Sequence, residues 1–138
     1  MNVADVRVAL AASLSTIQDV QVNPYALAQP TPPGLQILPP SVTYDQAMHR
    51  GMDTWIFIVQ GFVAMTTDVG SQVLLDQMCA PTGASSVKHA LESDVTLGGD
   101  VFSVHVLNQS PGRVVDFANG TSPMMLVEWQ VEVRATGN

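Results

Sequence analysis

Basic side chains are scarce in this sequence: five Lys and Arg in 138 residues, set against 12 Asp and Glu, leave a formal charge of −7. Arg7, Arg50, Lys88, Arg113 and Arg134 are also widely scattered, whereas a protein that holds nucleic acid by its phosphates needs clustered cations. Specific nucleic-acid binding is therefore not expected. Charge of either sign is in short supply, at 12% of residues, about half the usual quarter. Much of the surface must then be uncharged, which suits a chain whose surface is covered by partners.

Cysteine is almost lacking. Cys79 alone cannot form an intrachain disulfide, and beside Met78 and Ala80 it reads as a small buried hydrophobe. Long apolar runs are lacking too. The longest uncharged one, Thr54 to Thr67, falls short of the roughly 20 residues of a spanning helix and is interrupted by Gln60. The opening Met1-Asn2-Val3-Ala4-Asp5 has no basic run and brings an acid early, unlike a secretion signal. No membrane contact is expected, and synthesis and use in a cytoplasm are. The length fits one domain that buries its own core.

Motifs for metal, nucleotide and nucleophilic chemistry are missing as well. His49, His89 and His105 fall in three different predicted elements without His-x-x-x-His, Cys-x-x-Cys or His-Glu spacing, so no metal site is expected. Gly61, Gly70 and Gly98-Gly99 form no phosphate loop, and no Gly-x-Ser-x-Gly elbow occurs. Glu128 and Glu132 share a strand face about 13 Å apart by strand rise, wide for a hydrolase pair, and read as solvated or interface acids. No catalytic residue, cofactor or enzymatic activity is expected.

What is present is a clear change of period along the chain. Val3, Val6, Leu10, Leu14 and Ile17 recur at helical steps, which predicts a helix over Val3 to Ile17 with Asn2 as cap and Asp5 in its first turn. Val20 and Val22 alternate with polar residues before Pro24, a short strand. From Gln29 to Pro40 six Pro or Gly residues forbid a helix; Leu35, Ile37 and Leu38 within this loop predict a short edge strand, a docking surface, or a loop tucked over its own core.

Trp55 to Val59 predict a central strand over Asp53 to Met65, covered on both faces. Two helices follow, Val69 to Ala80 with a face of Val73, Leu74 and Met78, and Ala84 to Ser93 with a face of Val87, Ala90 and Leu91. Asp68 would cap the first and Pro81 end it.

Beyond Leu97-Gly98-Gly99 the period becomes 2. Phe102, Val104 and Val106 alternate with Ser103, His105 and Leu107; Gln109-Ser110-Pro111-Gly112 and Asn119-Gly120 are predicted turns. In the last strand Met125, Val127, Trp129, Val131 and Val133 oppose Glu128, Gln130, Glu132 and Arg134, so one face packs on helices and the other meets water or a neighbour. The sum is a single α+β domain: a mostly antiparallel or mixed sheet packed against two to three helices.

The order of these elements resembles the tail terminator family of long-tailed, siphovirus-type bacteriophages. The resemblance rests on the N-terminal helix, on Leu38-Pro39-Pro40 followed by Tyr44, and on Trp55-Ile56-Phe57. It continues through Val73-Leu74-Leu75-Asp76, Ser86 to Leu91 leading to Leu97-Gly98-Gly99, and the closing strand Met125 to Val133. It implies a structural virion protein that forms a homo-oligomeric, usually hexameric, ring at the head-proximal end of the tail tube. Such a ring stops tube polymerisation and offers a head-docking surface, with tail tube protein and head–tail connector or neck proteins as partners, and DNA passing through unbound. Assembly would take place in the host cytoplasm.

Candidate contact residues are Leu35 and Ile37 in the proline-rich passage, Thr67 and Asp68 in the next connection, and Arg113 or Arg134 meeting Glu128 or Glu132 of a neighbouring copy. Another neck, head-completion or minor tail protein is the alternative within this class. A small-molecule-binding module or hydrolase using His105 or His49 is the alternative outside it.

Overall fold

The computed structural model describes residues 3–18, 20–25, 33–43, 53–64, 70–93, 103–115 and 123–135. Thr67, Asp68, Tyr44, His49, the cap Asn2 and the turns at Leu97-Gly98-Gly99 and Asn119-Gly120 lie outside these residues. Among them are three helices, α1 (Val3–Leu14), α2 (Gly70–Cys79) and α3 (Val87–Glu92). The seven strands are β1 (Gln21–Asn23), β2 (Gly34–Ile37), β3 (Ser41–Thr43), β4 (Asp53–Ala64), β5 (Ser103–Gln109), β6 (Arg113–Val115) and β7 (Met124–Ala135).

The first helix buries Val6, Leu10 and Leu14 as their spacing predicts, together with Arg7 and Ala11. It ends before Ile17, where the Thr16 and Ile17 N–H groups turn to carbonyls three residues back, at 3.4 and 3.0 Å, while the hydroxyls of Ser15 and Thr16 donate to the carbonyls of Ala11 and Ser13 at 2.8 and 2.9 Å. Ile17 is buried all the same, just past the end. In α2 the buried residues are Leu75 and Met78, while Val73 is 49% exposed. Val73 and Met78 stand five residues apart, about 140° round the helix, so they cannot share the face predicted for them. Ser86 caps α3 by accepting the His89 N–H at 3.1 Å, and its hydroxyl donates to the Ala80 carbonyl, tying the start of α3 to the end of α2.

All seven strands form one mixed sheet, ordered β1-β2-β4-β7-β5, with β3 beside β4 and β6 beside β7. Only β1 and β2 run parallel; every other pairing is antiparallel. The α+β domain read from the sequence is the one observed. Strand β2 is not the predicted edge strand, however, since it lies between β1 and β4 and all four of its residues are buried.

Strands β4 and β7 pair along their whole length, from Asp53 opposite Ala135 to Ala64 opposite Met124. Each is flanked on its far side by two short strands in tandem. Along β4, Ile37 faces Val59 and Ser41 faces Ile56, so four steps of one chain match three of the other, with Pro39 and Pro40 in the gap. Along β7, Gln109 faces Trp129 and Arg113 faces Leu126, again four steps against three, with Pro111 in the gap. Proline has no ladder donor, and an extra residue at such a point is a bulge. Gln109-Ser110-Pro111-Gly112 is therefore a break within a continuing strand rather than a turn.

The two halves match in detail. Leu38 N–H donates to the Ile58 carbonyl at 2.8 Å, and Ser110 N–H to the Glu128 carbonyl at 2.7 Å. Gln36 donates its side-chain amide to Gln60 at 2.7 Å, and Asn108 donates its own to Gln130 at 3.1 Å. The sheet thus has an approximate two-fold centred on the facing pair Val59 and Trp129.

The helices pack on one face of it, α2 against β4 and α3 against β5, with α1 against α3, β1 and β2. That face carries Trp55, Phe57, Val59 and Val63 from β4 and Val127, Trp129, Val131 and Val133 from β7, all in one buried cluster. The other face of β4 is not fully covered as predicted. Phe62 is buried there with Met124 and Leu126 in a second cluster, but Ile56 and Ile58 are half-buried, because no described helix lies on that side.

Candidate functional site

The outward face of the sheet collects most of the charged residues singled out in the sequence, because strand alternation sends every second side chain of β7 there. Gln36, Gln60 and Glu128 stand opposite one another on β2, β4 and β7. They form a continuous row: the Gln36 amide donates to Gln60 Oε1 at 2.7 Å, Gln60 Nε2 donates to Glu128 Oε2 at 3.0 Å, and Arg113 from β6 meets Glu128 Oε1 at 3.1 Å. The row begins at a buried residue, Gln36, and ends at an exposed one, Arg113. Two rows along the same face, Arg134 donates to Glu132 at 2.9 Å.

In the isolated chain each of these arginines meets a glutamate of its own chain. Arg113 with Glu128 and Arg134 with Glu132 close within one chain, since the antiparallel β6–β7 register and the two-residue repeat along β7 place each arginine beside its own glutamate. Leu35 and Ile37 belong to the core of the chain. They are 1% and 0% exposed, point to the helix side with the core of β4, and offer no side-chain surface to a tube or a neighbour.

At the sheet edge a second group of polar residues gathers around Glu92, at the end of α3. Its carboxylate pairs with Lys88 one turn earlier, approaches His105 Nδ1 at 3.3 Å and accepts the Val106 backbone N–H of β5 at 2.9 Å. Partial burial pushes this carboxyl up, but the bonds from Lys88 and Val106 and the charges of Lys88 and His105 outweigh it, holding it below the usual carboxylate range. His105 itself is an exposed surface residue, as is His89.

Beside this edge a groove of about 190 Å³ opens between the ends of α2 and α3 and strand β5, lined by Cys79, Pro81, Lys88, Leu107, Gln109 and Trp129 among others. Cys79 is half-buried there rather than fully enclosed. Burial pushes its thiol up; a hydrogen bond with Gln109 acts in the other direction, and nearby Asp76 adds to the rise. A thiol held protonated is a poor nucleophile.

Arg7, one of the scattered cations, belongs to no sequence motif. It is 8% exposed on α1, donates to the Pro24 carbonyl at 3.4 Å and lies 4.8 Å from the centre of the Tyr25 ring. The bend after β1 is thereby fastened to the helix. Its only sequence signal is its place next to Val6 on the buried face. Among the described residues no group of three or more His, Cys, Asp or Glu is disposed to hold a metal, and no described helix is long and apolar enough to cross a membrane.

No family model and no curated protein matches the sequence. A solved structure described as "Virion of native gene transfer agent (GTA) particle" is similar over 93% of this chain and 84% of its own, with 18% identity and a TM-score of 0.45.

Proposed function

We propose that this chain is a structural subunit of a phage virion, and more narrowly a tail terminator that closes as a ring on the head-proximal end of the tail tube. The observation that carries the reading is the two-sidedness of the sheet. One face is packed by three helices; on the other, where no described helix lies, half-buried Ile56 and Ile58 sit beside the Gln36–Gln60–Glu128–Arg113 row. A sheet normally buries both faces or leaves one polar, and a face of mixed apolar and hydrogen-bonded polar groups suits a neighbouring copy. The order of elements that resembles tail terminators supplies the kind of assembly.

The mechanism is steric. Identical subunits meet head to tail through a rotation that closes the ring, which caps the tube, halts addition of tube subunits and presents a surface to neck proteins. The acidic composition lets DNA traverse the channel without adhering. Native mass spectrometry and negative-stain microscopy with tail tube protein test this. The expected result is a closed ring, usually of six copies, seated on tube ends, with tubes that stop growing. A chain that stays monomeric and never binds tube ends overturns it, and binding to connectors but not to tubes moves the chain to another neck role.

A second reading, a small-molecule-binding module, is favoured by the groove beside Cys79 and Trp129. Ligand-induced thermal stabilisation of a lasting monomer across a metabolite panel would establish it instead.

A further inference from the structure

The two halves of the sheet match, but their outer edges do not. On β2 the edge is filled by β1, with Val22 opposite Leu35. Leu35 faces Gly61, and its counterpart in the other half is Val106, which faces Val131. No described strand lies outside β5. There the Val106 N–H points away from the sheet into the Glu92 carboxylate. A helix residue therefore supplies the acceptor that a strand supplies on the opposite edge.

Strand β5 itself is suited to pairing with an identical strand. Ser103-Val104-His105-Val106-Leu107-Asn108-Gln109 holds no Pro, no Gly and no Asp, Glu, Lys or Arg, and Leu107 is 44% exposed. Uncharged, β-prone edges of this kind add strands unless a charge or a bulge prevents it. The Glu92 carboxylate sits at Val106, whereas the register shift falls after it and leaves Ser103 to Val106 in regular register.

We propose that the β5 edge is a strand-acceptor site for the β5 edge of a second copy of this chain, closed in the isolated subunit by the Glu92 carboxylate. Two such edges related by a two-fold axis run antiparallel and are self-complementary. The carboxylate blocks them by satisfying the outward N–H that a second strand would need. This inference does not depend on the ring reading; it concerns a latent contact that the subunit keeps shut.

The test compares wild type, Glu92→Gln, Glu92→Ala and Glu92→Ala with Leu107→Lys, each as the full chain, by light scattering over a concentration series and by amide exchange at Val106. Glu92→Gln keeps an acceptor oxygen, so its mass should follow wild type. Glu92→Ala should associate to at least double the wild-type mass as concentration rises, with the Val106 amide protected in the associated form. Adding Leu107→Lys places a charge on the bared edge and should return the mass to that of wild type. A folded Glu92→Ala that keeps the wild-type mass throughout overturns the proposal. So does an association that Leu107→Lys fails to reverse, since that would come from loss of folding.

Discussion

The indole of Trp129 lies so close over the backbone of Gly61 that a Cβ there would sit 2.6 Å from its Cζ3 and 2.9 Å from its Cη2, with Leu35 Cδ2 at 3.1 Å. Trp129 is 2% exposed and wedged in the core, so the ring cannot step aside without disturbing its neighbours. Gly61→Ala should destabilise by about 1–3 kcal/mol, the cost of overpacking a filled core. Urea denaturation would read this, and the penalty should shrink in a Trp129→Phe background, where the ring is smaller. An equal penalty in both backgrounds would show that the indole is not the obstacle.

The polar row across the outward face should be unequal from end to end. Gln60→Leu removes the acceptor used by the buried Gln36 amide and the donor used by Glu128, and should cost about 1–3 kcal/mol. Arg113→Ala breaks an ion pair whose arginine is 57% exposed, where solvent screens the charge, and should cost under about 1 kcal/mol. Equal losses in denaturation midpoint for the two variants would contradict this gradient.

Glu92 ties stability to pH. Its carboxyl is held low by Lys88, Val106 and His105, so the folded state prefers it charged more strongly than the unfolded state does. The stabilisation is complete above the ordinary carboxylate range and is lost as pH falls through that range to the lower folded value. The thermal midpoint of wild type should therefore exceed that of Glu92→Gln at neutral pH, with the gap closing as pH falls below the ordinary carboxylate range. A gap that persists in acid would mean that the carboxylate charge is not its source.

Arg7 should resist the change that preserves its charge. Lysine keeps the cation but loses the flat guanidinium that lies on Tyr25 and reaches the Pro24 carbonyl, so Arg7→Lys should cost about 1 kcal/mol. Tyr25→Leu should add little more once the guanidinium is gone, which a double-mutant cycle in thermal or urea unfolding would reveal.

The parts of this fold that could be read from the sequence are those set by alternation within one element. The inward row of β7 from Met125 to Val133 and the α3 face of Val87, Ala90 and Leu91 lie where their periods predict. What escaped depends on which elements become neighbours. Leu35 and Ile37 are as apolar as any exposed docking residue, and only the placement of β2 between β1 and β4 makes them core. Pro111 and Gly112 carry the composition of a turn, yet the chain runs on because β7 is long enough to pair beyond them. Alternation puts Glu128, Glu132 and Arg134 on one face of the last strand, but which arginine meets which glutamate within the chain follows from register, which alternation alone does not fix.

The seam between β4 and β7 bears on how the chain comes to be made. Each long strand forms a local hairpin with the short strand just before it, β3 with β4 and β6 with β7, but the joint between halves links residues as distant as Asp53 and Ala135. Closing so large a loop is the slow event in a topology of this kind. A chain that has not yet gained residues 124–135 would have one flank of β4 bare, and Trp55, Phe57 and Val59 would lack the β7 residues Val127, Trp129, Val131 and Val133 of their cluster. Nascent chains stalled before Met124 should for that reason be held by chaperones, and release should follow the arrival of the final strand.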